Sequence, residues 1–580
     1  MLLAWLFASK VAPPSPTESE EGTLTPPPSM DYSASSLEQL PQRTGTDAFP
    51  PGVPSAAACD AIVAEAVAWA SCNGLLTKSA TDGSAAFEHA PFSLLPVAFP
   101  AAQLDLATRL APLFGTLVDR IADDVPWLTR TLQSTADGDD FTKRLLRLCA
   151  RTHREGATQG ARLSILRSDY MLHDTADGAP ARLLQVELHT IGAACGCLGA
   201  RVSALHTHLA QRFESVRREL WERAGRPARM QLEAHLRPNA ALDGVAEAIA
   251  HAHAAYGGGG GGAGGGGGAG GGGGADAVVL FVVREDEADA PDVELLRQRL
   301  WAAHGLRVVS RTLLQLATEA RLEGRKRLLR VGADEVSVAY LRAGDAPCDY
   351  VGSRHWDARL LLERSHAIKA PCVEQQLAGG AKVRQVLAQP GVLERFVSAA
   401  EAEQLRAVFA GLWSLAGATQ PRDDAAAHEH AAAMHMRLAA ERPDGYVMRP
   451  LRDGGGSGVG SGVGGGVGGG GGESRPFFGA ELRDALRSMS QPQRAGFVLM
   501  QRIVPRPQPS VLVRGGAPRV GPAVSELGVY TTHLRAHSGH VLLNRAAGHL
   551  VRTKPLGVDE RGGSVGGSSV LSSPLAVRKA

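Results

Sequence analysis

The sequence predicts a mixed α/β (α+β) fold, and three observations carry that prediction. Between residues 56 and 250, apolar residues recur mostly at helical spacing. An alternating strand–helix–strand block follows near residue 277. The last third returns to short β-rich runs bounded by turn residues. At 580 residues the chain is long enough for roughly two to four domains and several cores.

Residues 1–55 read as a disordered N-terminal extension. Its start, Met1–Ala8, is apolar but has no basic n-region, and Pro13, Pro14 and Pro16 follow. Glu18, Glu20 and Glu21 fit a transit peptide poorly. A cytoplasmic protein is expected, with organelle targeting by this extension as the alternative. A helix is expected at Ala57–Ala70 and another at Asp139–Cys149, where Leu145, Leu148 and Cys149 share a face. Strand-like runs at Leu163–Leu172 and Leu183–His189 interrupt the helices.

The glycine tract at 257–274 cannot pack a core and reads as an expanded surface loop, as does the tract Gly454–Gly472. Between them, strand Ala277–Val283 leads to helix Asp292–Ala303, strand Leu306–Val309 and an edge pair near Leu328 and at Val336–Leu341. That is the layout of a small parallel-sheet domain inserted into the chain. Helices are expected from Arg354 to about Leu412. Strands return at Gly445–Arg449, Phe497–Ile503, Ser510–Arg514, Val524–Tyr530 and His540–Asn544.

Composition excludes several functions. With a net charge of +2 and 21% charged residues, there is no field to draw in nucleic acid or an anionic membrane. No apolar run approaches the ~20 residues of a membrane span. Seven cysteines at irregular spacing make no disulfide framework and point to a reducing compartment. Cys195 and Cys197 have no second pair to complete a metal site and read as buried thiols at a helix start.

On a strand, Glu187 and His189 share one face. They could ligate a metal, or they could line a partly solvated sheet face. Arg449, Arg452 and Asp453 precede Gly454, Gly455 and Gly456. Cations beside flexible backbone N–H groups suit phosphate oxygens, and the carboxylate suits a bridging magnesium ion. No G-K-[ST] follows, so this is not a Walker loop. Glu526 sits in mid-strand, and Arg552 and Lys554 are two apart on one strand face.

Together these segments resemble the eukaryotic-type glutathione synthetase, an ATP-grasp ligase, in order over roughly residues 60–565. The resemblance rests on Ala90–Pro96 (APFSLLP), Leu166–Met171 (LRSDYM), Ala176–Pro180 (ADGAP), Leu183–Glu187 (LLQVE), Trp356–Ala367 (WDARLLLERSHA), Gln376–Gly379 (QLAG), Arg449–Gly456 (RPLRDGGG), Ser525–Gly528 (SELG) and Gly548–Lys554 (GHLVRTK). It implies an ATP-grasp fold with a glycine-rich lid and an inserted small parallel α/β substrate domain. Residues 56–256 and 386–580 would form the core, 275–385 the inserted domain and 449–500 the lid. The implied reaction joins γ-glutamylcysteine to glycine through an acyl phosphate, with ATP as co-substrate, in a homodimer that engages neither nucleic acid nor membrane.

By position, the resemblance places Glu187, His189 and Asp453 at the metal, with two Mg2+ ions expected and Mn2+ an option given His189. Glu187, Lys382, Arg449, Arg452, Asp453, Gly454, Gly455, Gly456, Glu526 and Lys554 would surround ATP. Met500, Gln501, Arg502 and Ile503 match the hinge strand that contacts adenine. Arg167 and Arg552 are the implied catalytic residues. Both would hold peptide carboxylates with Arg342, for which a guanidinium fork is suited. Gly192, Ala193, Ala194 and Glu287 would line the peptide site, and Ser564 and Val565 match the covering loop.

The departures cluster in the same site. The family's E-x-N-T-x-S-x-S reads Glu187–Ala194 (ELHTIGAA), so imidazole replaces an amide oxygen and two hydroxyls are absent. The usual lysine is Arg449 and the usual glutamate is Asp453. G-T-K-K becomes Gly379–Lys382 (GGAK), with Ala381 where a nucleotide lysine is expected. E-R-N-x-x-D-Q becomes Glu287–Val293 (EADAPDV), and R-D-G-Y becomes Arg342–Asp345 (RAGD). The alternative reading is therefore an impaired or non-catalytic paralogue that binds nucleotide or peptide.

Overall fold

The structure is a computed structural model, and it describes residues 56–79, 86–156, 158–174, 180–225, 235–257, 276–285, 287, 290–416, 425–451, 476–557 and 569–577. The N-terminal extension, the glycine tracts beyond Gly257 and the segment 558–568 lie outside the described residues.

A seven-stranded sheet forms the centre. Its order is Gln508–Arg514, Phe92–Ser93, Val570–Ser572, Val541–Pro555, Ala517–Arg535, Arg162–His173, Arg182–His189. Strand alternation divides its apolar side chains between two helical layers. Leu166, Tyr170, Leu527 and Val529 pack with Leu110, Phe114 and Leu117 of helix Ala101–Asp123. Tyr530, Leu550 and Leu571 pack with Leu198, Val202 and Leu205 of helix Gly196–Arg212. The expected strands at 163–172 and 183–189 fall within this sheet at Arg162–His173 and Arg182–His189. Strands seen in the sequence as Val524–Tyr530 and His540–Asn544 extend into one long hairpin.

A second sheet runs Val308–Arg311, Val278–Val282, Asp334–Leu341, Leu328–Val331, Ala320–Glu323. Val278–Val282 is wholly buried, as a parallel strand covered on both faces should be. Val279 and Phe281 meet Ile249, Leu296 and Leu300 on one side, while Leu280 and Val282 meet Leu316, Ala358 and Leu362 on the other. Two expectations need correction. Asp334–Leu341 is not an edge strand, because it pairs in parallel with both Val278–Val282 and Ile368–Ala370. For the same reason, residues 354–412 are not uniformly helical. Ile368–Ala370 joins the sheet and Leu412–Ser414 begins another, short runs whose strand form comes from tertiary pairing.

The third sheet is antiparallel, with Phe497–Gln501 between Leu412–Ser414 and Tyr446–Pro450. Helix Gly479–Ser488 covers it through Leu482, Ala485 and Leu486. The expected strand Phe497–Ile503 ends at Gln501. All seven cysteines are free, and Cys195 and Cys197 are buried at the start of helix Gly196–Arg212. Among the described residues, no helix is long and apolar enough to cross a membrane.

Candidate active site

The site begins with strand register. Arg162–His173 and Arg182–His189 pair so that Arg167 lies opposite His189 and Asp169 opposite Glu187. Alternation puts Arg167 and Asp169 on one face. Arg167 grips Asp169 twice, with Nε to Oδ1 at 2.7 Å and Nη2 to Oδ2 at 2.9 Å. Both side chains are 1% exposed. Arg552 reaches the same carboxylate at 3.1 Å and also donates to Glu526 at 2.6 Å, directly across its own strand pair. Gly528 makes room for this arrangement. A Cβ there would stand 2.7 Å from Asp169 Oδ1 and 2.9 Å from Arg167 Cδ.

His189 extends the network. Its Nε2 is 3.1 Å from Asp169 Oδ2 and 3.0 Å from Glu187 Oε2. Arg449 forms an ion pair with Glu187 and also donates to the Val186 carbonyl at 3.3 Å, where Arg384 donates at 2.7 Å. Burial alone would raise the Asp169 carboxyl, but Arg167, His189 and Arg552 hold it well below the usual range. Arg167, although fully enclosed, is held well above its ordinary value by that carboxylate. Asp169, Glu187 and His189 bring donor atoms within 4.8 Å of one another. Both Asp169 oxygens accept from guanidinium groups, and Asp169 is almost wholly buried, whereas Glu187 and His189 are partly exposed on the open side of the cluster.

The loop after this strand carries Gly192, Ala193 and Ala194. Gly192 has φ +62°, a left-handed conformation suited to glycine. The Ala194 carbonyl accepts from Arg167 at 3.1 Å and from the Tyr530 hydroxyl at 2.5 Å. Arg342 and Glu287 lie across from it. The Arg342 carbonyl is 3.5 Å from the position of a Gly192 Cβ, while its guanidinium binds Glu287 and lies 3.0 Å from Asp292.

Other expected residues sit on the third-sheet side or nearby. Lys382 is buried in helix Ala381–Leu387, with Nζ 2.9 Å from Gln385 Oε1 and 3.4 Å from Ser414 Oγ. Burial, with no acidic partner among the described residues, pushes its ammonium down to about 8. Met500 packs with Leu184, Val447 and Ala410, and Ile503 lies against the same group. Gln501 exchanges hydrogen bonds with Gly411, and Arg502 stacks over Phe478 at 5.8 Å. Lys554 follows Arg552 on the same strand face, half-buried. Arg452, Asp453, Gly454, Gly455, Gly456, Ser564 and Val565 lie outside the described residues.

The structure therefore joins Arg167, Glu187, His189, Arg449, Glu526 and Arg552 in one network, and sets Arg342 and Glu287 beside its loop. Sequence reasoning missed Asp169, although it lies within the LRSDYM segment between two named site residues. It also missed Arg384 and Tyr530. Asp292 is a further omission. Its carboxylate accepts from the backbone N–H groups of Cys195 at 3.0 Å and Cys197 at 3.1 Å, so it ties Arg342 to the start of a core helix. No local signal marks such pairings.

The family model for the eukaryotic glutathione synthase, ATP binding domain, matches residues 56–460 and 468–576. The chloroplastic glutathione synthetase of Solanum lycopersicum is 34% identical over 519 residues, covering 88% of this chain and 83% of that relative. The glutathione synthetase of Homo sapiens is 33% identical over 519 residues, covering 88% and 96%. In structure, a glutathione synthetase-like effector from Globodera pallida aligns with a TM-score of 0.66 at 19% identity, over 92% of this chain and 100% of that one, a likeness of fold. With the family match spanning most of the chain, and relatives above 30% identity covering 88% of it, this chain belongs to the eukaryotic glutathione synthase family.

Proposed function

We propose that this chain is an ATP-dependent carbon–nitrogen ligase that joins γ-glutamylcysteine to glycine, giving glutathione, ADP and phosphate. One observation carries the reading: the unbroken network Arg449–Glu187–His189–Asp169–Arg552–Glu526, in which acidic and basic side chains alternate from the third sheet onto the central one. Clustered acids are costly without cations to neutralise them, and a chain that only kept the fold has little reason to keep them.

In this reading, Arg167 and Arg552 orient the peptide carboxylate for attack on the γ-phosphate, and Asp169 fixes both guanidinium groups. The carboxylate oxygen bonds to phosphorus as the bond to the ADP oxygen breaks. The glycine amine then attacks the acyl carbon and expels phosphate. Arg449, Arg452, Lys382 and Lys554 balance the phosphate charge, and Arg449 exchanges Glu187 for phosphate as nucleotide arrives. Met500, Gln501, Arg502 and Ile503 border the adenine, Gly454–Gly456 cover the phosphates, and Ser564 and Val565 cover the peptide.

Glu187 and His189, with Asp453, would hold a divalent metal, which would supply positive charge against the phosphates. This donor set fits a divalent cation, and its imidazole suits Mn2+ better than hard Mg2+. The domain limits, the homodimer and the cytoplasmic setting belong to the same proposal. Two of the plant relatives are described as chloroplastic, which keeps organelle targeting by residues 1–55 as the alternative.

Hydroxylamine trapping tests the order of steps. With ATP and γ-glutamylcysteine but no glycine, hydroxylamine should convert the acyl phosphate to the peptide hydroxamate, detectable by mass. ADP release without any hydroxamate would contradict the acyl phosphate route.

A further inference from the structure

Residues 502–507 connect the third sheet to the central one, between strands Phe497–Gln501 and Gln508–Arg514. The start of the connector belongs to the third sheet. The Gln501 N–H donates to the Gly411 carbonyl at 2.8 Å, and the Arg502 N–H donates to the Gly445 carbonyl at 2.9 Å. Its middle is held by the end of strand Arg162–His173. The Asp174 N–H donates to the Val504 carbonyl at 2.8 Å, and the Val504 N–H donates to His173 Nδ1 at 3.1 Å. Arg506 completes the clasp with two bonds to the Asp174 carboxylate, at 3.0 and 2.9 Å.

The chemistry of the connector makes this clasp matter. Pro505 and Pro507 offer no N–H, and Val504 and Arg506, each before a proline, are biased to extended backbone. His173 is 6% exposed. A backbone N–H only donates, so His173 Nδ1 is unprotonated and its proton sits on Nε2. Burial, with Arg182 opposite on the neighbouring strand, holds the imidazole below its ordinary value against the pull of Asp174. The neutral ring is therefore kept as an acceptor.

We propose that His173 is a positioning residue for the nucleotide: its Nδ1 fixes Val504, and through it the adjoining residues Met500–Ile503. The place of the nucleotide rests on the ligase reading; the proposal adds a residue that governs nucleotide affinity without touching the ligand. Without the acceptor, the Val504 N–H is left unpaired. The connector then holds its binding position for only part of the time, and affinity falls by that fraction. The loop carrying Gly192 leaves the opposite end of strand Arg182–His189, about 20 Å away, so peptide affinity should not follow.

Calorimetry on the full chain, with a non-hydrolysable ATP analogue and separately with γ-glutamylcysteine, compares two substitutions of His173. His173→Leu removes the acceptor and should weaken the analogue by about tenfold, leaving γ-glutamylcysteine unchanged. His173→Asn places an oxygen near the position of Nδ1 and should recover most of the loss. Arg506→Ala alters a side chain that is 64% exposed, so it loosens the same clasp without touching the core. It should weaken the analogue by about threefold and quicken hydrogen exchange in the peptide containing Val504. Full nucleotide affinity in His173→Leu overturns the proposal, as does an equal loss in His173→Asn or a parallel loss of both ligands. If His173→Leu does not fold, unchanged affinity and exchange in Arg506→Ala overturns it. An unmodified chain that follows the expected pattern but forms no glutathione loses the ligase reading and keeps the clasp. One that binds no analogue loses both.

Discussion

The Nε2 atom of His189 lies 3.0 Å from Oε2 of Glu187. An imidazole thus stands beside the carboxylate proposed to hold metal, where hard Mg2+ would favour another oxygen. His189→Asn should shift preference from Mn2+ toward Mg2+. The ratio of the two metal concentrations giving half-maximal ADP release should change by about tenfold or more. Titration of free Mn2+ by electron paramagnetic resonance, with nucleotide present, reads the same change without turnover. An unaltered ratio would remove His189 from the metal.

Asp169 holds Arg167 and Arg552 together in the interior. Asp169→Ala leaves buried guanidinium charge without its counter-ion, a loss of about 3–5 kcal/mol that a urea denaturation curve would register. The carboxyl is held below its ordinary value in the folded chain. Its contribution is therefore fully present above the unfolded value of about 3.9 and disappears as pH falls through the folded one. The unmodified protein should lose stability faster than Asp169→Ala below about pH 4. Parallel acid arms would contradict the pairing.

Burial pushes the Lys382 ammonium down to about 8, with no anion beside it among the described residues. Its folded value lies below the unfolded value of about 10.4, so folding disfavours the proton, and this penalty is relieved as pH rises from 8 toward that value. A bound phosphate reverses the preference. Affinity for an ATP analogue should be flat below pH 8 and fall above it, with proton uptake on binding seen by calorimetry in two buffers. Lys382→Met should abolish both the slope and the uptake. An unchanged slope would place Lys382 away from the phosphates.

Ala381 occupies the position where the family resemblance expects a nucleotide lysine, which makes Ala381→Lys an obvious restoration. The structure argues against it. Ala381 is buried against Leu451 and Val498, and Leu412 covers the same group. A lysine there should overpack the contact and cost about 1–3 kcal/mol, with a lower melting temperature and no gain in turnover. Faster turnover at an unchanged melting temperature would show that the helix start has room to shift.

Much of the scaffold was legible in the sequence because it rests on local pattern. The strands at Arg162–His173 and Arg182–His189 and the alternation that aligns Glu187 with His189 follow from period-two spacing. What the spacing could not convey was which strands pair. Val336–Leu341 reads from the sequence as one arm of an edge pair, yet it also pairs with residues 278–282 and 368–370. The site divides in the same way. Arg167, Glu187 and Arg552 carry family motifs, whereas the role of Asp169 depends on Gly528 lying opposite it on a strand more than 300 residues away. Asp292 reaches Cys195 across 97 positions, a contact no window of sequence contains.

The most direct test of the ligase assignment is product formation by the purified chain. With ATP, γ-glutamylcysteine and glycine, in Mg2+ and then Mn2+, glutathione should form in equal amount with ADP, and omission of the peptide should abolish ADP release. A folded protein that binds the ATP analogue but forms no glutathione with either metal would contradict the assignment.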